Sequence, residues 1–121
     1  MFKPQNSKQY DLEDRTLEFA HKVRNFVKIL PRTVANKEDI SQVVRSSGSI
    51  GANYIEANES LSKKDFIMRI KISRKEAKET RFLLELVDTQ NNSNLEKIRK
   101  ELLNEAVELM KIFSSIMRKS V

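Results

Sequence analysis

The stretch Ser46–Asn58, SSGSIGANYIEAN, decides how the rest of the chain is interpreted. It holds both glycines of the 121-residue chain, among serine, alanine and asparagine. That composition is typical of a loop, yet the residues around it keep one helical phase. The residues that share one face at 100° per residue are Ile40, Val43, Val44, Ser47, Ile50, Gly51, Tyr54 and Ile55. The stretch is therefore predicted to continue a helix. A glycine in a helix interior costs about 1 kcal/mol relative to alanine, and close packing of another backbone is the usual compensation.

The same spacing of apolar residues predicts three more helices. The predicted bounds are 11–30, 36–60, 62–89 and 94–118, with Asp11 opening the first helix and Asn36, Ser62 and Asn94 capping the others. Two glycines and two prolines are too few for the many turns of an all-β fold. Because the connections are short, consecutive helices should be antiparallel. The expected fold is all-α: an up-down-up-down antiparallel four-helix bundle over residues 11–118, after a flexible N-terminal tail at 1–10.

Composition limits the class of protein. The absence of cysteine excludes a disulfide framework and any cysteine-based metal site or nucleophile. The N-terminal residues hold no apolar signal region, and no apolar run approaches the roughly 18 residues that a membrane span needs. We expect a soluble, cytoplasmic protein without membrane contact. The net charge is +6, of which +5 belongs to residues 61–121, and this favours a polyanionic partner for that half.

Catalysis is not expected. Glu18-x-x-His21 copies half of the motif of di-iron bundles, but such a site needs a second copy of the motif and further inward carboxylates. His21 is the only histidine, and its position points away from the apolar seam of its helix. Glu56 and Glu79 could meet across the second and third helices, where a structural role is favoured over acid–base chemistry. We therefore expect no catalytic, cofactor or metal site.

The third and fourth helices carry more apolar surface than a four-helix bundle has to bury. Beside their core seams, a second stripe contains Met68, Ile72, Leu83, Leu86, Leu103, Val107 and Met110. Exposed stripes of this kind mark protein contacts, so a homo-oligomer is favoured over a thick monomer that buries them.

A polar ridge runs along the second helix, opposite its apolar face. At spacings of three and four it contains Gln42, Arg45, Ser49, Asn53 and Glu56, and it is flanked by Gly48 and Ala52. Such a ridge is either solvated or offered to a hydrogen-bonding neighbour. We favour the neighbour: another helix against the Gly48/Ala52 strip, with the ridge bonding across a subunit boundary.

The ridge also carries a family resemblance. Residues 42–57, QVVRSSGSIGANYIEA, resemble the signature Q-x-x-R-x-x-x-S-x-x-x-N-I-x-E-G of the 23S rRNA intervening-sequence protein family, which are bacterial four-helix-bundle proteins. Residues 66–79, FIMRIKISRKEAKE, are similar to the family's third-helix pattern F-x-x-x-L-x-I-A-x-x-S-x-x-E, which ends here at Glu79. Ala57, Ser73 and Glu76 depart from the glycine, alanine and serine of those patterns.

The resemblance implies a bundle without catalytic activity, with an unknown cellular role in most members. A relative, the accessory protein of diversity-generating retroelements, assembles as a barrel-like homopentamer with a basic surface, and it binds nucleic acid and a reverse transcriptase. By resemblance, the expected partners are further copies of the chain in a ring of five, RNA or DNA, and a reverse transcriptase or other nucleoprotein.

Basic residues of the third helix are the candidate nucleic-acid site. Those on its outward face are Lys64, Lys71, Arg74, Lys75 and Lys78. Collected on one surface, such groups neutralise phosphates, and oligomerisation would multiply them. The alternative is a solvated face with acidic partners, such as Lys75 with Glu79, on an interaction scaffold that binds no nucleic acid. No aromatic platform is expected beside the lysines, so the pattern does not predict base reading.

Overall fold

Four antiparallel helices carry the fold. The computed structural model describes residues 7–121, with side chains from Leu12 onward. The helices are α1 (Ser7–Lys28), α2 (Val34–Asn58), α3 (Lys63–Leu86) and α4 (Ser93–Ser120), and no strand occurs within the described range. α2 packs against α1 and α3, and α4 packs against α3 and α1, so α1 and α3 occupy opposite corners. The predicted all-α, up-down-up-down four-helix bundle is confirmed.

The first helix begins earlier than the sequence predicts. α1 starts at Ser7 rather than Asp11, so residues 7–10 of the predicted tail are helical. Residues 1–6 of that tail lie outside the described part of the chain. α1 ends at Lys28, and the chain then turns through Leu30 before Pro31.

Two of the three predicted caps are displaced by two or three residues. Thr33 rather than Asn36 caps α2, because its hydroxyl accepts the N–H of Asn36 from extended backbone. Likewise Asn92, not Asn94, caps α4, and its side chain accepts the N–H of Leu95. Ser62 caps α3 as predicted.

Asn36 has a different role from the predicted one. It is completely buried, and its Nδ2 donates to the carbonyl oxygens of Pro31 at 2.9 Å and Asp88 at 2.8 Å. Its Oδ1 accepts the backbone N–H of Asp88 at 2.9 Å. One side chain therefore joins the α1–α2 connection to the α3–α4 connection at the same end of the bundle.

The core combines aromatic and aliphatic side chains from all four helices. Its largest fully buried members include Phe19, Phe26, Ile50, Leu84 and Phe113. The ring of Tyr54 packs on Phe113 with the centroids 5.9 Å apart, and burial raises the pKa of this tyrosine. Ile55, which the sequence places on the buried face of α2, is instead 49% exposed.

Much of the apolar stripe predicted as surplus is covered within one chain. Leu83 is only 4% exposed, so its assignment to an exposed stripe is wrong. Leu103 and Met110 of α4 are partly buried and pack against the core. Met68 and Leu86 remain about half exposed, at 48% and 53%. The stripe by itself therefore does not require a second copy of the chain.

The two glycines of α2 meet different surroundings. A Cβ added to Gly51 would lie 2.7 Å from Thr16 Oγ1 of α1, a distance that real Cβ atoms do not tolerate. A Cβ on Gly48 would lie 3.6 Å from the guanidinium of Arg24, which is ordinary contact, and Ala52 is exposed. Tight helix packing is confirmed at Gly51, whereas within this chain the Gly48/Ala52 strip has no such close neighbour among the described residues.

Candidate nucleic-acid interface

Small hydroxyl residues bring α2 and α3 together. Ser73 Oγ donates to the carbonyl oxygen of Ile50 at 2.9 Å, and the Ser46 and Thr80 hydroxyls are 2.7 Å apart. All three hydroxyl residues are completely buried. Because each hydroxyl is bonded, these groups can be buried between the helices without the cost of an unsatisfied polar atom.

The polar ridge of α2 bonds to α3 of the same chain. Arg45 donates to Glu79 Oε2 at 2.8 Å, and Arg69 of α3 donates to Asn53 Oδ1 at 3.0 Å. Asn53 also donates through Nδ2 to the carbonyl oxygen of Ser49 at 2.9 Å. For Arg45 and Asn53, the hydrogen-bonding neighbour is therefore α3, in place of the second subunit expected from the sequence.

The remaining ridge residues are less engaged. Gln42 and Glu56 are exposed, and Ser49 is half-buried. Glu79 lies at the level of Arg45, and Glu56 is eleven residues further along α2, about 16 Å at 1.5 Å per residue. Glu56 and Glu79 therefore do not form the carboxylate pair that was considered from the sequence.

Glu76 is a buried carboxylate beside the ridge. It is 8% exposed, and its Oε1 accepts no hydrogen bond from the described residues. Its charged neighbour is Arg45, whose NH1 lies 3.6 Å from that oxygen. Arg45 thus serves two carboxylates at once, Glu76 beneath it and Glu79 beside it. Because the family pattern has serine at position 76, the sequence showed that Glu76 is unusual, but it did not show that Arg45 is its partner.

The five predicted basic residues lie on one side of α3. Lys64, Lys71, Lys75 and Lys78 are exposed, and Arg74 is half-buried at the edge of this surface. Their positions span an arc of about 100° around the helix at 3.6 residues per turn. We call this surface the α3 basic face. Within residues 12–121, Glu76 and Glu79 of α3 are paired with Arg45 and Glu85 is paired with Arg81, and no carboxylate of α3 is within ion-pair distance of these five cations. The pairing of Lys75 with Glu79, which the alternative interpretation of a solvated face suggested, does not form, because Glu79 bonds to Arg45.

An aromatic side chain on this face was missed by the sequence reasoning. Phe82 is 63% exposed and lies one turn beyond Lys78. The interpretation that no aromatic platform accompanies the lysines overlooked this exposed ring. The signal was available: Phe82 is out of phase with the buried Thr80 and Leu84, and in phase with the lysines.

Other chemistry finds little support in the described residues. His21 is exposed, and Glu18 lies 3.9 Å from Lys22 rather than facing the bundle interior. Across the same range, no three histidine, cysteine or acidic side chains are grouped as a metal site would require. None of the described helices is both long and apolar enough to span a membrane.

These features define a small all-α four-helix-bundle protein with a polar α2–α3 seam and a basic face on α3. The model of the 23S rRNA-intervening sequence protein family matches residues 8–115, and the chain belongs to this family. It is similar to the crystal structure of a protein with unknown function from the S23 ribosomal protein family of Bacteroides thetaiotaomicron. The two share 32% identity and a TM-score of 0.77, over 92% of this chain and 98% of that chain. No match was found among curated proteins.

Proposed function

We propose that this protein is a non-catalytic, self-associating bundle that binds RNA or DNA through the α3 basic face. The observation that carries the proposal is the grouping of five cations, without carboxylate partners among the described residues, on one side of one helix. Phosphate groups would supply the missing countercharge.

The chemistry of this face favours backbone contact over base reading. Lysine ammonium groups neutralise phosphates and release condensed counterions, so affinity should fall steeply as salt rises. The exposed ring of Phe82 offers one surface on which a base could stack, worth about 1–3 kcal/mol in single-stranded complexes. Both contributions tolerate any sequence, so single strands should bind with little sequence preference.

Self-association would raise the affinity of a face that is small in one copy. α3 has 24 residues, about 36 Å of helix, and carries only five of these cations. Several copies along one nucleic acid would multiply the phosphate contacts. By family resemblance, we propose a ring of five copies, with a reverse transcriptase or other nucleoprotein as a further partner.

A salt titration with matched charge reversals tests the nucleic-acid proposal. Fluorescence anisotropy would measure binding of labelled single-stranded RNA, single-stranded DNA and duplex DNA. The test variant is Lys71→Glu/Lys75→Glu on the α3 basic face, and the control is Lys97→Glu/Lys100→Glu, two exposed lysines of α4. Both variants change the net charge equally.

We expect the affinity to fall roughly tenfold or more in the first variant and clearly less in the second, with a reduced salt slope only in the first. Equal losses would show that net charge alone matters and would contradict the assignment.

Self-association has its own measurement. Light scattering of the full chain at micromolar concentration, with and without RNA, gives the assembly mass in both states. A multiple of the 14.1 kDa chain mass is expected. A monomeric mass in physiological salt, unchanged by RNA, would contradict self-association and leave the α3 basic face to be judged by the salt titration.

A further inference from the structure

Glu79 is a carboxylate at the edge of the α3 basic face. At about 100° per residue, it lies about 40° around the helix from Lys75, one turn away. Side chains four residues apart on a helix have Cβ atoms about 5–6 Å apart, so Glu79 is within reach of the Lys75 ammonium group. The Glu79 side chain is 34% exposed, which leaves it room to turn. A carboxylate paired with Lys75 would cancel one of the five cations.

Arg45 of α2 holds Glu79 in a different direction. Its NH2 donates to Glu79 Oε2 at 2.8 Å, across the contact between α2 and α3. Within residues 12–121, no ion pair joins Lys75 to Glu79. The carboxylate therefore faces the α2–α3 seam, and the exposed Lys75 ammonium is left for a ligand.

Glu76 keeps the Arg45 guanidinium at this seam. Its side chain is 10% exposed, and its Oε1 accepts no hydrogen bond from the described residues. Arg45 NH1, 3.6 Å away, is the cation that compensates this charge. Because a buried charge without a partner is costly, Arg45 stays beside Glu76 while the other arm of its planar fork binds Glu79.

Without Arg45, only Lys75 would be within helical reach of Glu79 as a cation. The residues three and four positions from Glu79 along α3 are Lys75, Glu76, Phe82 and Leu83. The neighbours of Arg45 on the polar ridge of α2, Gln42 and Ser49, are uncharged. Glu79 would therefore turn to Lys75 and compete with phosphate for its charge.

We propose that Arg45 is a positioning residue of the nucleic-acid interface: by binding Glu79, it keeps Lys75 free to contact phosphate. The inference rests on the proposed binding of nucleic acid by the α3 basic face, and it gives a residue of a different helix a part in that binding. Arg45 acts through the carboxylate that it withdraws from the face.

Arg45 is poorly placed to bind phosphate itself. Its side chain is 56% exposed, but NH1 and NH2 lie beside Glu76 and Glu79. A phosphate at these nitrogens would face two carboxylates of the same sign. An indirect role through Glu79 is therefore favoured over a sixth phosphate contact.

The cost of losing Lys75 in three backgrounds tests this role on the full chain. The first background is the wild type. The second is Arg45→Ala/Glu76→Gln, which removes the guanidinium and the buried carboxylate together, so that the net charge is unchanged and no unpaired charge is buried. The third adds Glu79→Gln, which removes the carboxylate that Arg45 had held. In each background, fluorescence anisotropy on labelled single-stranded RNA and DNA compares Lys75→Ala with its parent over a range of salt concentrations, and melting curves verify folding.

Lys71→Ala is the matched control. It removes the same charge from the same face, but Lys71 lies eight residues from Glu79, about 12 Å along the helix. Its effect on affinity should therefore be the same in all three backgrounds.

We expect Lys75→Ala to weaken binding about threefold or more in the wild type and to reduce the salt slope by about 0.7, the value for one phosphate of a single strand. In Arg45→Ala/Glu76→Gln, both effects should be less than about half as large, because Lys75 is already occupied by Glu79. Adding Glu79→Gln should restore them.

An equal effect of Lys75→Ala in the first two backgrounds would overturn this role, because Lys75 would then bind phosphate with or without Arg45. A reduced effect that Glu79→Gln does not restore would also overturn it, since Arg45 would then not act through Glu79. If neither Lys75→Ala nor Lys71→Ala weakens binding in the wild type, the α3 site itself is contradicted, and the role of Arg45 with it. The failure of this inference and the failure of the proposed function are therefore distinguishable.

Discussion

Thr16 of α1 leaves no room for a side chain at Gly51 of α2: a Cβ there would lie 2.7 Å from Thr16 Oγ1 and 3.1 Å from Thr16 Cβ. Thr16 is 1% exposed, and its hydroxyl donates to the carbonyl oxygen of Glu13 at 2.9 Å. The hydroxyl therefore cannot swing aside without breaking this bond. A glycine that weakens α2 by about 1 kcal/mol is offset by the packing of two helices that it permits.

Alanine at the two glycines should have opposite effects on stability. Gly51→Ala forces Thr16 to move and should lower the free energy of unfolding by about 1–3 kcal/mol, as overpacking does. In Gly48→Ala the new Cβ meets only the Arg24 guanidinium, at 3.6 Å. This change should raise the free energy of unfolding by up to about 1 kcal/mol, because alanine has the higher helix propensity. Urea unfolding followed by circular dichroism measures both. Effects of the same sign and size would contradict this account.

Thr16→Ala tests whether the Thr16 hydroxyl is the cause of the expected destabilisation by Gly51→Ala. It removes the oxygen that a Cβ at position 51 would strike, while the Thr16 Cβ contact at 3.1 Å remains. The double variant Thr16→Ala/Gly51→Ala should therefore lose less stability than the sum of the two single changes. Strict additivity would mean that the clash is not with the hydroxyl.

Asn36→Ala should be among the most destabilising polar substitutions in the chain. It removes three hydrogen bonds and leaves the N–H and carbonyl oxygen of Asp88 without this partner. We expect a loss of about 2–4 kcal/mol, because a buried polar group left unsatisfied costs more than an average hydrogen bond contributes. Asn25→Ala, at an exposed position of α1, is the matched control and should change stability by less than about 0.5 kcal/mol. A small effect at position 36 would show that water replaces the asparagine.

Alanine substitutions of the two asparagines near the start of α4 should also differ in their effect on stability. Asn92 accepts the N–H of Leu95 at 2.9 Å, so Asn92→Ala should cost about 1 kcal/mol as the loss of a helix cap. Asn94 lies exposed within the first turn, and Asn94→Ala should change little. Thermal melts of the two variants provide the comparison. A larger effect at Asn94 would restore the cap that the sequence alone suggested.

The helices could be predicted from the sequence because their apolar period persists for many turns and survives errors at single positions. The role of a residue that depends on one distant partner could not be predicted from the sequence. Gly48 and Gly51 look alike in the sequence, and only the approach of Thr16 distinguishes them. Asn36 resembles a helix cap in the sequence, and its actual role could not be predicted because its partner, Asp88, lies 52 residues away in another connection. The lysines of α3 were found by their phase, and the same test applied to Phe82 would have placed it among them.

Arg45→Ala should destabilise the fold more than the substitution of an arginine that forms only an exposed ion pair. It removes the charge that faces Glu76, whose side chain is 10% exposed. Removing one partner of a fully buried pair costs about 3–5 kcal/mol. Arg45 is itself half-exposed, and water can partly replace it, so we expect about 2 kcal/mol by the same argument. Arg81→Ala, which breaks an exposed pair with Glu85, should cost at most about 0.5 kcal/mol.

The double variant Arg45→Ala/Glu76→Gln tests whether the buried charge is the cause. With the carboxylate neutralised, the loss of Arg45 should cost markedly less than it does beside Glu76, and a double-mutant cycle on urea unfolding measures the difference. If Arg45→Ala costs the same in both backgrounds, its contribution comes from Glu79 or from packing instead.

Acid should weaken the α3–α4 connection through Glu96. The carboxylate of Glu96 accepts hydrogen bonds from the Thr89 hydroxyl and from Arg99, and the Thr89 bond is the main cause that lowers its pKa below the ordinary value of 4.5. A carboxylate with a lowered folded-state pKa contributes its stabilisation fully above its unfolded-state pKa, and loses it as the pH falls through the folded-state value. The free energy of unfolding should therefore decrease below about pH 4.5, and Glu96→Gln should flatten that decrease while lowering stability at neutral pH. Glu38→Gln, at an exposed position of α2, is the control and should leave the acid limb unchanged. Urea unfolding at a series of pH values from neutral to about 3 measures the slope. An acid limb equally steep in Glu96→Gln and in the wild type would show that other carboxylates account for it.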